Sequence, residues 1–244
     1  MACRGRKRGK SMAERETALI VGAGAGLSAS LARLCAGEGM AVAVAARDTG
    51  KLAGLCSETG ARAYTCDASQ PGDVAGLFAS VAGDLGTPDL VVYNPSFRAR
   101  GPITELDPEA VRKVLEITAF GAFLVAQQAA QAMLPRGAGT ILFTGASAGV
   151  KGYANSSSFA MGKFALRGLA NALARELHPQ GIHIGHFVID GGILKTGGDA
   201  RAADRGDDGM LDPDAIAETY LQFHRQPRNS WAWEIELRPW VEKF

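Results

Sequence analysis

The chain has 244 residues, of which 47% are apolar and 21% charged, with 31 glycines. At roughly 150 residues per domain this length points to one domain, and the balance excludes a disordered chain, a collagen-like repeat and a disulfide scaffold. The net charge of +1 hides an asymmetry: Arg4, Arg6, Lys7, Arg8 and Lys10 have no acid among them, and removing those five from the 26 basic residues leaves 21 against 25 acidic ones.

Residues 1–14 read as a basic, disordered extension. It lacks the apolar stretch of a secretory signal, and the acidic remainder argues against nucleic-acid binding. No uninterrupted apolar run nears the roughly 18 residues that span a bilayer, so no membrane is expected as a partner. Over 15–244, short β-rich apolar runs at 18–21, 41–46, 61–66, 90–93, 140–144, 183–189 and 234–237 alternate with helical periodicity at 27–37, 71–86, 108–134 and 159–177. Asp107-Pro108 and Asp212-Pro213 are N-cap and N1 pairs that open helices. Near-continuous apolar strands between amphipathic helices predict a parallel sheet covered on both faces, which makes the fold α/β: a single doubly wound Rossmann-type domain of about seven strands. Residues 196–212, with four glycines and mixed charge, read as a mobile loop at the end of the sheet where ligands bind.

Cys3, Cys35, Cys56 and Cys66 show no CxxC spacing, so neither zinc nor a disulfide framework is indicated and a cytoplasmic compartment fits. His183 and His186 stand three apart on a strand and point to opposite faces, which is poor geometry for sharing a metal with His178. No metal site is expected.

The first strand runs into Gly22-Ala23-Gly24-Ala25-Gly26-Leu27-Ser28 and then a helix. Such a turn lets backbone N–H groups and the helix N-terminus approach a pyrophosphate without an intervening Cβ. About twenty residues on, the second strand ends at Ala46-Arg47-Asp48. An acid at this place suits the ribose 2′-hydroxyl of NAD, whereas the Arg47 guanidinium suits a 2′-phosphate, which favours NADP(H) over NAD(H) with Asp48 as the counter-indication.

Here the chain resembles the short-chain dehydrogenase/reductase family, over nearly the whole of 17–244. The glycine turn, Asp67 after the third strand, Asn94 in Tyr93-Asn94-Pro95-Ser96 and the helix around Lys163 carry the likeness. The resemblance implies cofactor contacts from Gly22, Gly24, Gly26, Leu27, Arg47, Asp67, Asn94, Lys163, Gly191 and Ile193. It also implies a Tyr, a Lys, a Ser and an Asn for proton transfer. Lys163 is present, but Phe159 stands at the Tyr position, Ala146 at the Ser position with Ser147 beside it, and Thr118 at the Asn position. Phenylalanine has no proton to give. Tyr153, in the loop before the long helix, is a displaced proton donor or a pocket wall, and Ser156, Ser157 and Ser158 crowd the same stretch. Enoyl and dienoyl reductases in this superfamily also lack a Tyr at the usual spacing, so reduction of an activated C=C is an option.

The expectation is an NADP(H)-dependent oxidoreductase on a small organic carbonyl, alcohol or activated alkene, with Lys163, Tyr153 and Ser147 as catalytic candidates. The alternative is a weak or inactive NADP(H)-binding relative that acts as a sensor or structural partner. By the same resemblance the long helices form a homodimer or homotetramer. Leu166, Leu169, Leu173 and Leu177 are equally explained by packing on the sheet.

Overall fold

Period-two alternation puts every strand's side chains on two faces, and in this chain both faces are apolar. The computed structural model describes residues 15–195 and 198–242; the basic extension 1–14 lies outside the described residues. The strands are β1 (Thr17–Val21), β2 (Ala41–Ala46), β3 (Arg62–Thr65), β4 (Leu90–Tyr93), β5 (Gly139–Thr144), β6 (Ile182–Ile189) and β7 (Glu234–Leu237). They form one sheet in the order β3-β2-β1-β4-β5-β6-β7, with every pair parallel. Connections run outward in both directions from β1 and β4, where Val21 is level with both Ala45 and Tyr93. That reversal opens a crevice beyond the strands' carboxyl ends.

Helices α1 (Leu27–Gly37), α2 (Ala53–Thr59) and α8 (Pro213–His224) bury Leu31, Leu55 and Tyr220 against Ala18 and Ile20 of β1. Helices α3 (Pro71–Leu85), α5 (Gly121–Met133) and α6 (Ser157–Leu177) bury Leu77, Val125 and Leu166 against Leu19 and Val21 on the other face. Burial on both faces is why the strands read as apolar runs rather than as alternating ones. The seven-residue α2 was not expected. It follows a 3₁₀ turn at Gly50–Leu52 and buries little beyond Leu52 and Leu55, too few positions to set a helical period.

The continuous helix expected over 108–134 is interrupted. Helix α4 (Pro108–Leu115), capped by the Asp107 carboxylate on the N–H groups of Glu109 and Ala110, passes into a π-helical turn at Glu116–Phe120 before α5. Two contacts account for the wide turn. The Tyr93 hydroxyl donates to the Ile117 carbonyl, drawing that carbonyl toward β4. Gly121 lies so close to the sheet that a Cβ would sit 2.5 Å from the Tyr93 hydroxyl oxygen. Inserted contacts of this kind are a recognised cause of local π geometry. The whole stretch Pro108–Arg136 is long and apolar enough to cross a membrane by composition, yet Ala122, Val125, Ala126, Ala129 and Met133 are buried in the protein core.

Residues 196–212 carry more structure than a free loop. Ile193 pairs with Leu211 as a parallel bridge, the Leu194 N–H donates to the Leu211 carbonyl at 2.9 Å, and a short helix α7 (Arg201–Arg205) lies between. Thr196 and Gly197 fall outside the described residues. The histidines divide between the two faces as expected: His183 stacks between Phe223 and Trp231, each 4.4 Å between centroids, while His186 turns toward Glu234 at 2.9 Å.

Candidate functional site

The glycine turn sits at the reversal point. Gly22 adopts φ +83°, and a Cβ there would come within 2.6 Å of the Pro95 nitrogen, so this position admits glycine alone. Around Gly24 and Gly26, by contrast, a Cβ would meet no protein atom within 4 Å. Helix α1 begins at Gly26 with no side-chain cap and no acid in its first turn. The result is a cradle without side chains, facing the positive end of a helix, which matches an anionic diphosphate. Leu27 contributes only backbone here, because its side chain is buried in the core.

Ser28 and Asn94 face inward. The Asn94 amide donates to the Ser28 hydroxyl at 2.7 Å, which donates to the Gly22 carbonyl at 3.1 Å. This relay ties the turn to the end of β4. It gives Ser28 a role beyond small size.

Beyond β2 and β3 lies a cavity of about 320 Å³ whose lining includes Gly22, Arg47, Lys51, Asp67, Asn94 and Phe97. A wider cavity of about 570 Å³, also bordered by Arg47, Asp67 and Phe97, reaches Lys113. Arg47 lines both. Asp48 lines neither, because its carboxylate accepts the Gly50 N–H at 2.9 Å. Lys51 is a second cation at this wall that the sequence reading missed; its position four residues after Arg47, at the entry to α2, was the available signal. The Asp67 carboxylate accepts from the Ser69 N–H at 3.0 Å and hydroxyl at 2.7 Å. Burial pushes this carboxyl up, but the Ser69 hydrogen bonds and the charges of Arg47 and Lys113 hold it below its ordinary value.

At the other end of the crevice the equipment differs. Lys163 is buried on α6, and its ammonium donates to the Thr144 carbonyl at 2.7 Å. Burial, and then the charge of Arg98, bring its pKa down to about 7. Phe159, one turn earlier, is buried in a small apolar cluster with Ala146 and Ala148, separate from the two main cores. Its ring centroid lies 5.8 Å from the Lys163 ammonium, and the Arg98 guanidinium stands over the same ring at 4.2 Å. Thr118 is fully buried in the π turn, packs toward Gly162, and has no partner for its hydroxyl.

Ser147 opens the 3₁₀ turn after β5, beside this cluster. Tyr153 is exposed, with the Lys151 ammonium 5.5 Å from its ring centroid, and among the described residues no hydrogen bond joins it to Lys163. Ser158 is turned away from chemistry: its hydroxyl donates to the Ala99 carbonyl at 2.5 Å and fastens α6 to the loop after β4. Gly191 takes φ +155° after β6, where a Cβ would press on Pro239 at 2.8 Å, and Ile193 packs against the second core.

The family model for short chain dehydrogenase matches residues 16–205. The chain belongs to the short-chain dehydrogenase family, a family of oxidoreductases. It is 32% identical over 181 residues, 72% of either chain, to cis-4-hydroxycyclohexanecarboxylate dehydrogenase of Sinomonas cyclohexanicum. It is 30% identical over 159 residues to the 3-oxoacyl-(acyl-carrier-protein) reductase MabA of Mycobacterium tuberculosis, spanning 62% of that protein and so less than two thirds of it. A short-chain dehydrogenase from Rhodopseudomonas palustris superposes with a TM-score of 0.80 at 31% identity, covering 92% of this chain and 99% of that one. An actinorhodin polyketide ketoreductase variant solved with NADPH superposes with a TM-score of 0.84 at 25% identity, over 93% and 97%. The seven-stranded doubly wound sheet is thus the family's fold, and a nicotinamide cofactor is the family's common ligand.

Proposed function

We propose that this member is an NADP(H)-dependent oxidoreductase for a small organic carbonyl, alcohol or activated alkene, with a proton donor other than the family's tyrosine. The observation that carries the reading is the pairing of an intact nucleotide cradle with a buried, hydrogen-bonded Lys163 in the same crevice. Gly22, Gly24, Gly26 and the backbone of Leu27 accommodate the diphosphate, Asp67 borders the adenosine cavity, and Gly191 and Ile193 close the nicotinamide side. Arg47, with Lys51 beside it and Asp48 engaged elsewhere, supports recognition of a 2′-phosphate. Asn94 acts indirectly, by holding the glycine turn through Ser28.

When bound, the nicotinamide supplies or takes up a hydride. The chain's share is to orient it and to move one proton. Lys163 holds ribose hydroxyls and, with its pKa near 7, exchanges a proton close to neutrality. Ser147 and Tyr153 are the nearby hydroxyls for the substrate side, Tyr153 by inward movement of the 150–156 loop. The names of the two relatives, one for a hydroxylated ring carboxylate and one for an oxoacyl group on a carrier protein, suit an alcohol–carbonyl pair.

The apolar cluster of Ala146, Ala148 and Phe159 favours a second reading, a cofactor-binding relative with little or no turnover. For partners, Phe120, Phe123, Met161 and Phe164 are exposed on the outer side of the α5 and α6 region, which supports a homodimer or homotetramer formed through these helices. The described cysteines, Cys35, Cys56 and Cys66, are all free thiols, which fits a reducing, cytoplasmic compartment.

Calorimetric titration with NADPH and NADH in parallel tests the cofactor assignment. NADPH binds more tightly, and Arg47→Ala lowers that affinity by about 10- to 100-fold, as expected for hydrogen bonds to a charged group, while leaving NADH nearly unchanged. Binding of neither nucleotide ends the oxidoreductase reading. For turnover, Lys163→Ala abolishes NADPH consumption; an unchanged rate removes Lys163 from the mechanism.

A further inference from the structure

Among the described arginines, three make neither an ion pair nor a hydrogen bond: Arg47, Arg98 and Arg100. The others are engaged, for example Arg33 with Glu58, Arg136 with Asp89, Arg167 with Glu234 and Arg201 with Asp199. Arg47 faces the cavity assigned above to the nucleotide. Arg98 and Arg100 lie at the opposite end, on the loop between β4 and α4, where no part of that assignment uses them.

Arg98 is the more telling of the two. Its guanidinium stands 4.2 Å over the ring of Phe159, the residue at the family's proton-donor position, and it acts electrostatically on the buried Lys163. Arg98 is exposed overall, but where it lies on the ring partial desolvation, and then the charges of Arg100 and Arg201, lower its pKa. A guanidinium stacked on an aromatic face is held in place through that face and keeps its in-plane N–H groups for another partner. With no acid supplied by the described protein, that partner comes from outside. Beneath it Phe159, Ala146 and Ala148 form a small buried apolar cluster.

We infer that Arg98 is a substrate-binding residue that takes a carboxylate carried on an apolar body, with the body set beside the edge of the apolar cluster on which Arg98 stands. The carboxylate matches the guanidinium fork bidentately, and it offsets the repulsion between the unpaired Arg98 and Arg100. The inference rests on the oxidoreductase reading only in calling this ligand a substrate. It deepens that reading from a small organic molecule to an anionic one.

The test is equilibrium binding of benzoate, benzamide and inorganic phosphate to the full-length protein, with and without NADP+, for wild type, Arg98→Met and Arg98→Lys. Wild type binds benzoate about 10- to 100-fold more tightly than the isosteric neutral benzamide, the range expected for charge-assisted hydrogen bonds. Arg98→Met loses that preference, and Arg98→Lys retains part of it. Thermal midpoint and NADPH affinity of Arg98→Met stay at the wild-type values, which separates ligand recognition from misfolding. Undetectable benzoate binding, equal affinity for benzoate and benzamide, a preference that survives Arg98→Met, or phosphate binding as tightly as benzoate each overturns the assignment. So does a matching loss of NADPH affinity in Arg98→Met, which would place Arg98 in the cofactor site. A protein that prefers benzoate but binds no nicotinamide nucleotide would sink the oxidoreductase reading and leave the anion site standing.

Discussion

The two ends of the crevice have diverged to different degrees. At the nucleotide end the glycine turn, the uncapped α1, Asp67 and Arg47 offer the features that the proposed dinucleotide would use, and Ser28 ties the turn to Asn94 through a hydrogen-bonded relay. At the chemical end three polar side chains expected from the family have become Phe159, Ala146 and Thr118, and only Lys163 remains. A dinucleotide is held by backbone geometry and charge, whereas proton transfer depends on one hydroxyl at one place. Binding and chemistry in this fold therefore draw on different residues of one crevice.

Restoring the missing groups should produce the largest effect. Phe159→Tyr with Ala146→Ser returns an acid and a polarising hydroxyl to the positions above Lys163. A positioned general acid contributes about 10²–10⁴ in rate, so NADPH-dependent reduction of a panel of carbonyl compounds should rise by that factor over wild type. No gain, with NADPH affinity intact, would show that the chemical end has changed in shape as well as in equipment. A high wild-type rate that the double mutant lowers would show instead that another donor already serves.

A substitution at the other end should separate scaffold from ligand. Gly22→Ala places a Cβ 2.6 Å from the Pro95 nitrogen on a backbone at φ +83°. The left-handed conformation alone is unfavourable by about 1–3 kcal/mol, and the contact with Pro95 adds to it. Chemical denaturation should show that loss, and calorimetry should show NADPH binding abolished. Gly24→Ala meets no protein atom within 4 Å, so it should keep full stability while weakening the nucleotide. Equal stability losses in the two variants would break the claim that Gly24 is a glycine for the ligand's sake.

The same contrast sets what the sequence made legible. Strands such as β2 and β4 stood out because both faces are buried and every residue is apolar, and the Asp107 and Asp212 caps marked helix starts by chemistry that is local. The π turn at Glu116–Phe120 was hidden because its cause is the contact with Tyr93, some twenty-five residues away in the chain. Asp48 looked like a rival for the ribose until its carboxylate was seen on the Gly50 N–H. Arg98 gave no signal, since a lone cation in a loop reads as a solvated surface residue until its neighbours are known, and the only signal for Lys51 was its spacing from Arg47. Phe159 was legible as an anomaly only through the family pattern around Lys163.

Lys163 itself provides a smaller effect that reads the chemical end directly, without any substrate. Its pKa falls from an ordinary 10.5 to about 7 because the ammonium is buried and stands near Arg98. Between those values the unfolded chain holds a proton that the folded protein has released, so stability rises with pH, by up to about 1.4 kcal/mol per pH unit. Between pH 7 and 8 this group dominates. His183 and His186, lowered by burial to about 4, make the same kind of contribution only between 4 and their ordinary 6.5. From about pH 8 upward the buried thiols of Cys35 and Cys66, raised from 9 to about 12 and about 11, act in the opposite sense and make the rise between pH 8 and 9 shallower than Lys163 alone would give. Urea denaturation of the cofactor-free protein at pH 7, 8 and 9 should therefore show increasing stability, and Lys163→Met should flatten the series. A flat wild-type series would mean that Lys163 stays charged in its pocket, held there by a stronger interaction than the single bond to the Thr144 carbonyl, and the chemical end would then be more polar than its apolar cluster suggests.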